Sequence, residues 1–239
     1  MAGTLRSLAT RVQRRVERTL FPLGKSVRCP YCGWTGWRFL SAGARMKLNR
    51  LCPRCGSLER YRMLPLVIER ERAGRPLRVL ELAPKACFTQ YCRGHADWQY
   101  VSSDLASPTA MVRGDLRSMP FATSTFDVVV VFHVMEHIIE DQLAFAEIAR
   151  LLKPDGLAII CVPLSTTTTQ EGAPPADWER LYGQDDHVRF YGMDVEDRMR
   201  TAGLRVRRVD TLQYFSPADL ARYGLRGDDR YLFLVEKSA

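Results

Sequence analysis

The chain has 239 residues, 46% of them apolar, enough to bury the core of one ordinary domain with a small appendage. Its unbroken apolar stretches, such as Val128 to Phe132, fall far short of the roughly 20 residues of a membrane-spanning helix, so no span is expected. The net charge of +8 is divided unevenly: residues 1–78 hold 18 Lys/Arg against 4 Asp/Glu, a net +14, while residues 79–239 hold 17 against 23, a net −6.

In chain order, residues 1–26 are Arg-rich and nearly free of acids, with Leu5, Leu8, Val12, Val16 and Leu20 at helical spacing. The pattern fits an organellar presequence or a basic amphipathic helix docked on its own protein or on an acidic surface, and we adopt the second reading. The basic front as a whole suits an anionic partner such as nucleic acid, and equally a solvated face. Residues 27–75 form a second division, in which Val27 to Gly56 is rich in Cys, Gly and aromatic residues and SLERYRMLPLVIERER predicts a helix ending near Gly74.

Within that division Cys29-Pro-Tyr-Cys32-Gly and Cys52-Pro-Arg-Cys55-Gly repeat one knuckle, each offering two thiolates from a tight turn. Four thiolates at this spacing suit tetrahedral zinc with a closed shell, which makes the expected ion structural. Cys87, Cys92 and Cys161 lack such spacing and read as ordinary buried thiols. Seven cysteines without a recognisable secretory signal point to a reducing, cytoplasmic setting.

From Pro76 to the end, residues 76–239, short apolar strands alternate with helices: LRVLEL, WQYVSSD, a short strand before GDLRSMPF, FDVVVVFHV, the helix DQLAFAEIARLL, then GLAIICVPL. Met193 to Ala202 predicts a further helix, and LRVRRVD and YLFLVEK two last strands. This alternation gives an α/β fold with a seven-stranded, mostly parallel, Rossmann-like sheet and helices on both faces. Ser165 to Asp186, with its run of threonines and little periodicity, reads as a mobile cover or an acceptor-binding insertion.

In an open α/β sheet a ligand sits at the carboxyl ends of the strands, where strand order reverses. Glu81 ends the first strand and is placed to take hydrogen bonds from the amino acid part of a nucleoside cofactor. Asp104, 23 residues later, ends the second and is placed to hold both ribose hydroxyls. Asp115 follows the third strand, within reach of an adenine amino group.

Taken together, VLELAP, YVSSDL, GDLRSMPF, STFDVVVVFHVMEHI and EIARLLKPDGLAIICVP resemble the class I S-adenosylmethionine-dependent methyltransferase family from about Leu77 to Glu236. With CPxCGSLER, GQDDHVRFYG and ARYGL added, the chain resembles a bacterial subgroup carrying an N-terminal four-cysteine zinc ribbon. The resemblance implies S-adenosylmethionine as cofactor and residues 76–239 as the methyltransferase domain. It assigns cofactor contacts to Glu81, Ala83, Pro84, Asp104, Leu105, Asp115, Leu116, Phe132 and His133. One departure stands out: the family's glycine-rich loop after the first strand is replaced by Glu81-Leu82-Ala83-Pro84-Lys85.

Methyl transfer needs alignment and exclusion of water, and a base only for hydroxyls or protonated amines. His187, after the expected cover loop and beside Asp185 and Asp186, is the leading expected base, with His133 beside the methyl group. Glu136 and His137 read as structural hydrogen-bonding groups, and Arg189, Tyr182 and Tyr191 as groups able to recognise an acidic or ring-bearing acceptor. His133-Val-Met-Glu136-His137 also spells H-x-x-E-H, the signature of a zinc peptidase family, but its first histidine ends a strand and the helical geometry that chemistry requires fails. Three functions stay open: methyl transfer to O, N or C of a small molecule such as a sugar, lipid-linked or secondary-metabolite acceptor; methylation of an RNA base, with Trp34, Trp37 and Phe39 of the ribbon stacking bases; and an inactive methyltransferase-fold scaffold.

Overall fold

A computed structural model describes residues 16–17, 19–43, 46–164, 168–225 and 229–238. Most of the expected opening helix therefore lies outside the described residues. Two compact units emerge, one gathering the described residues up to Gly74 with Ala86–Tyr91 and Thr211–Arg230, the other Arg75–Lys85, Cys92–Asp210 and the chain from Tyr231 onward.

The second unit is built on seven strands: β1 (Arg78–Leu82), β2 (Gln99–Asp104), β3 (Val112–Arg113), β4 (Phe126–Phe132), β5 (Leu152–Cys161), β6 (Leu204–Asp210) and β7 (Tyr231–Lys237). They lie in the order β6-β7-β5-β4-β1-β2-β3, and only β7 runs against its neighbours. Val128 to Val131 are all buried, as a central strand covered on both faces requires. The helix Asp141–Leu151 turns Ala144, Phe145, Ile148 and Leu151 into the same core, at the 3.6-residue period its sequence carries. Strand order reverses between β1 and β4, so the crevice beyond their carboxyl ends is where this topology accepts a ligand.

The stretch from Ser165 to Asp186 is more ordered than its composition suggests among the residues described. Gln170–Glu171 pair antiparallel with Arg189–Phe190, and a short helix runs from Trp178 to Tyr182. Side chains replace periodicity here: Trp178 Nε1 donates to the Ala173 carbonyl at 2.9 Å, and Glu171 is held by Arg189 and Arg198.

In the first unit two small antiparallel pairs, Val27–Arg28 with Thr35–Gly36 and Leu40–Ala42 with Lys47–Leu51, precede the helix Glu59–Arg72. Arg62 organises this unit. Its guanidinium, fully buried, donates to the carbonyls of Arg50, Ser57, Tyr223 and Gly224 at 2.7–2.9 Å and lies 3.7 Å from the centre of the Phe39 ring. Burial lowers its pKa to about 10. Glu17, the first acidic residue of the chain, accepts hydrogen bonds from the amide and hydroxyl of Ser41 at 2.9 and 2.6 Å.

Candidate active site

At the switch point both strands end in a left-handed residue. Ala83 follows β1 with φ 51° and gives its N–H to Ser103 of β2 at 3.0 Å; His133 follows β4 with φ 55° and gives its N–H to Cys161 of β5 at 2.9 Å. Neither is glycine, so both carry the left-handed penalty, of order 1 kcal/mol, that is common in active-site backbones. The two ends turn aside and a cavity of about 470 Å³ opens, a volume usual for a small-molecule site.

Of the residues expected to touch a cofactor, Ala83, Asp104, Leu105, Asp115, Leu116 and His133 line this cavity. Asp104 Oδ1 accepts the N–H groups of Ala106 and Ser107 at 2.8 and 2.7 Å, which shapes the turn after β2 and leaves Oδ2 for another partner. Asp115 holds the Arg117 guanidinium through both oxygens, and those hydrogen bonds keep its carboxyl below the ordinary range. Leu105 is an exposed apolar side chain at 62% accessibility, an unusual state that a planar base stacked on it would relieve.

Glu81, Pro84 and Phe132 are not among the lining residues. Glu81 is 1% exposed, accepts the Lys85 N–H at 2.9 Å and the Tyr100 hydroxyl, and so sets the path of the loop that carries Ala83. Burial raises its pKa to about 7 despite those two bonds. His187 is also absent from the lining. Its Nδ1 donates to the Tyr182 carbonyl at 2.9 Å, and its ring packs edge-on against His137, which does face the cavity together with Asp186. Arg189 and Tyr191 depart from the expected role in acceptor recognition. The Arg189 guanidinium is engaged by Ile139 O, Glu171 and Asp141, Tyr191 is fully buried, and Tyr182 is 4% exposed. Sequence reasoning passed over Gly114, where an added Cβ would stand 2.9 Å from Ser103 Oγ, and Ile138 at the acceptor side.

In the first unit the two knuckles are built alike. Cys29 N–H donates to Trp34 O and Gly33 N–H to Cys29 O; Cys52 N–H donates to Ser57 O and Gly56 N–H to Cys52 O. Gly33 and Gly56 close the turns at φ 70° and 72°, which explains the glycine after each second cysteine. The four sulfurs converge, with Cys29–Cys55 and Cys32–Cys52 each 3.6 Å apart. Sulfurs bound at about 2.3 Å to a tetrahedral ion stand about 3.8 Å apart, so the cluster fits zinc. Hydrogen bonds from Cys52 and Cys55 hold the Cys29 thiol well below its ordinary value, and burial pushes Cys32 up to about 11. A dication would let all four ionise together. Phe39, expected as a base-stacking platform, is fully buried, and Trp34 packs on it at 5.5 Å between ring centres; Trp37 alone of the three is exposed, at 57%.

The strand order, the single antiparallel strand and the cavity at the switch point are those of the class I, S-adenosylmethionine-dependent methyltransferase fold. Residues 72–160 match the family described as Methyltransferase domain. Solved structures of the same fold include the YcgJ protein of Bacillus subtilis, at 14% identity and TM-score 0.52, the match covering 75% of this chain and 100% of that one. The 1,6-didemethyltoxoflavin-N1-methyltransferase of Burkholderia thailandensis, solved with bound 1,6-didemethyltoxoflavin and S-adenosylhomocysteine, is 17% identical at TM-score 0.50, covering 73% and 76%. The Haemonchus contortus phosphoethanolamine N-methyltransferase 2, with phosphomonomethylethanolamine and S-adenosylhomocysteine, is 16% identical at TM-score 0.50, covering 75% and 53%. A comparison with curated protein sequences gives no match. Among the described residues no helix is long and apolar enough to cross a membrane.

Proposed function

We propose that the chain transfers the methyl group of S-adenosylmethionine to an O, N or C atom of a small-molecule acceptor, with a structural zinc in the ribbon. The observation that carries this reading is the cavity between the ends of β1 and β4, lined on one side by Asp104, Leu105, Asp115 and Leu116 and on the other by His133, His137, Ile138 and Asp186. On the first side Asp104 Oδ2 suits ribose hydroxyls and Asp115 the adenine amino group, while Leu105 and Leu116 give the base an apolar bed. The bound cofactor supplies an electrophilic methyl carbon, so the protein's work is to align an acceptor with it and keep water out. His133 stands beside that junction, braced by Glu136 Oε1 at 3.1 Å from its Nδ1. His187 packs behind His137 and does not line the cavity.

A small acceptor is favoured over RNA because the cavity, about 470 Å³, is of small-molecule size, and because two of the three ribbon aromatics offered as stacking platforms serve the ribbon's own core. The compounds bound beside S-adenosylhomocysteine in the two methyltransferases, 1,6-didemethyltoxoflavin and phosphomonomethylethanolamine, are also small. Native mass spectrometry of the full chain with and without S-adenosylhomocysteine tests the reading. One nucleoside and one tightly held zinc are expected; zinc without nucleoside would shift the reading to a scaffold, and absence of zinc would remove the ribbon.

A further inference from the structure

We propose that Glu136, His137 and His187 bind one divalent transition-metal ion at the acceptor side of the cavity, a second metal site distinct from the four-cysteine cluster. Each side chain offers one ligand atom, and the three atoms lie within 4.8 Å of one another. Glu136 and His187 are 1% and 4% exposed, and among the described residues neither Glu136 Oε2 nor His187 Nε2 has a hydrogen-bond partner. Two buried acceptors facing the same small space without a donor are costly, and a cation satisfies both at once.

The remaining polar atoms of the three side chains point the same way. His187 Nδ1 donates to the Tyr182 carbonyl at 2.9 Å, which fixes the tautomer with the lone pair on Nε2. His137 Nδ1 lies 3.2 Å from the Asp186 carboxylate and 3.2 Å from the Asp186 carbonyl, which leaves Nε2 for a ligand. Glu136 Oε1 is taken by His133 Nδ1 at 3.1 Å, which leaves Oε2. Every ligand atom is thus aimed by an outer partner on the opposite atom of its own group, a carbonyl, a carboxylate or an imidazole, as metal-ligating histidines and carboxylates are. The backbone holds the two segments in place, since Val188 N–H donates to Glu136 O at 2.9 Å.

Ligand atoms around an ion bonded at about 2.1 Å stand about 3–4 Å apart, so small side-chain rotations close this set on one ion. Two imidazoles and one carboxylate suit zinc, iron(II), cobalt(II) or nickel(II) better than magnesium or calcium. Three protein ligands leave positions open, and His137 and Asp186 put the site on the cavity wall, where an oxygen of the acceptor would complete the shell and lose its proton more readily. That consequence rests on the methyl-transfer reading; the metal site does not. The H-x-x-E-H spelling has no part in it, because His133 is an outer partner and His187, 50 residues beyond His137, is the third ligand.

The test is metal counting on the full chain with its ribbon zinc in place, by native mass spectrometry and by titration with cobalt(II). Wild-type protein is expected to take up one further equivalent whose absorption lacks sulfur-to-cobalt charge transfer. His187→Gln and His137→Gln are each expected to weaken that equivalent by about 100-fold or more while keeping the ribbon ion. Should the buried His187→Gln variant fail to fold, His137→Gln, on a side chain one-third exposed, decides. Wild-type protein that takes up no second ion in excess cobalt(II), or a folded His137→Gln variant that binds it as tightly as wild type, overturns the proposal. S-adenosylhomocysteine binding is measured on the same samples. Nucleoside without a second ion overturns this site and leaves the methyl-transfer reading standing, whereas a second ion without nucleoside does the reverse.

Discussion

Replacing Glu81 by Gln should stabilise the protein above neutral pH and weaken its cofactor binding. The carboxyl group is 1% exposed, and burial lifts its pKa from 4.5 to about 7 against the opposing hydrogen bonds of Tyr100 and the Lys85 N–H. Between those two values the folded chain binds a proton that the unfolded chain has released, so stability falls as pH rises from about 4.5 through about 7. A shift of this size corresponds to about 3 kcal/mol, fully present below about pH 4.5 and lost by about pH 8. The side-chain amide of Glu81→Gln keeps an oxygen for the Lys85 N–H and carries no charge, so the variant escapes that loss. Urea unfolding of both proteins at half-unit steps from about pH 5 to about pH 8 reads the effect directly, because every other titrating group cancels in the difference. The variant should gain about 3 kcal/mol on wild type across that range. A difference that stays flat with pH would mean the carboxyl ionises in the fold as freely as in water, and the argument from burial would be wrong. The second half of the prediction concerns the ligand. A buried group held in so unfavourable a setting is a candidate for function, and a cationic cofactor draws the proton off it. S-adenosylmethionine should therefore bind wild-type protein more tightly as pH rises through about 7. The same slope should be missing from the variant.

Four further outcomes are expected. Cys52→Ala should abolish tight zinc binding and unfold the first unit, read by loss of one zinc per chain and of near-ultraviolet circular dichroism from Trp34. Arg62→Met should cost about 3–5 kcal/mol, because four buried carbonyls lose their donor, and wild-type-like melting would refute the place given to that guanidinium. Asp104→Ala should weaken S-adenosylhomocysteine about 10- to 100-fold by calorimetry, the value of charge-assisted hydrogen bonds to the ribose. Ala83→Gly should preserve binding and relieve about 1 kcal/mol of left-handed strain, partly offset by unfolded-state entropy, so the melting temperature should rise slightly or stay level.

The sheet was legible because each strand carries its own signal: LRVLEL, FDVVVVF and YLFLVEK are apolar runs of strand length, and each falls on a strand observed. The ribbon was legible because the two CPxCG knuckles repeat one spacing, and their four cysteines converge on one another in the fold. Periodicity is silent on which core a segment joins. Nothing in PKACFTQYCR or in residues 211–230 announces that Ala86–Tyr91 and Thr211–Arg230 belong with the ribbon, since that choice is made by contacts such as Arg62 with Tyr223 O and Tyr31 with Phe88. The direction of a histidine ring is equally invisible. His187 was legible as a titratable group near the site, but whether it faces the cavity depends on the Tyr182 carbonyl that captures its Nδ1.

The replacement of glycines after β1 bears on whether this fold still serves a cofactor. Glycine is usual in such a loop because the backbone must turn left-handed and pass close to the ligand. Ala83 makes the left-handed turn anyway, at φ 51°, and its N–H is fixed on Ser103, while Pro84 removes one donor and Glu81 captures the Lys85 N–H. A loop drifting from use would be expected to relax into right-handed geometry, since no ligand would hold the strain in place. Here the strain is retained at Ala83 and again at His133, on the two strand ends that frame the cavity, and the buried carboxyl of Glu81 adds a further unfavourable term at the same place. Two of the three left-handed non-glycine residues described in this unit, the third being Ser124, fall on one crevice beside a buried carboxyl, which argues for a loop kept in this shape by what binds there.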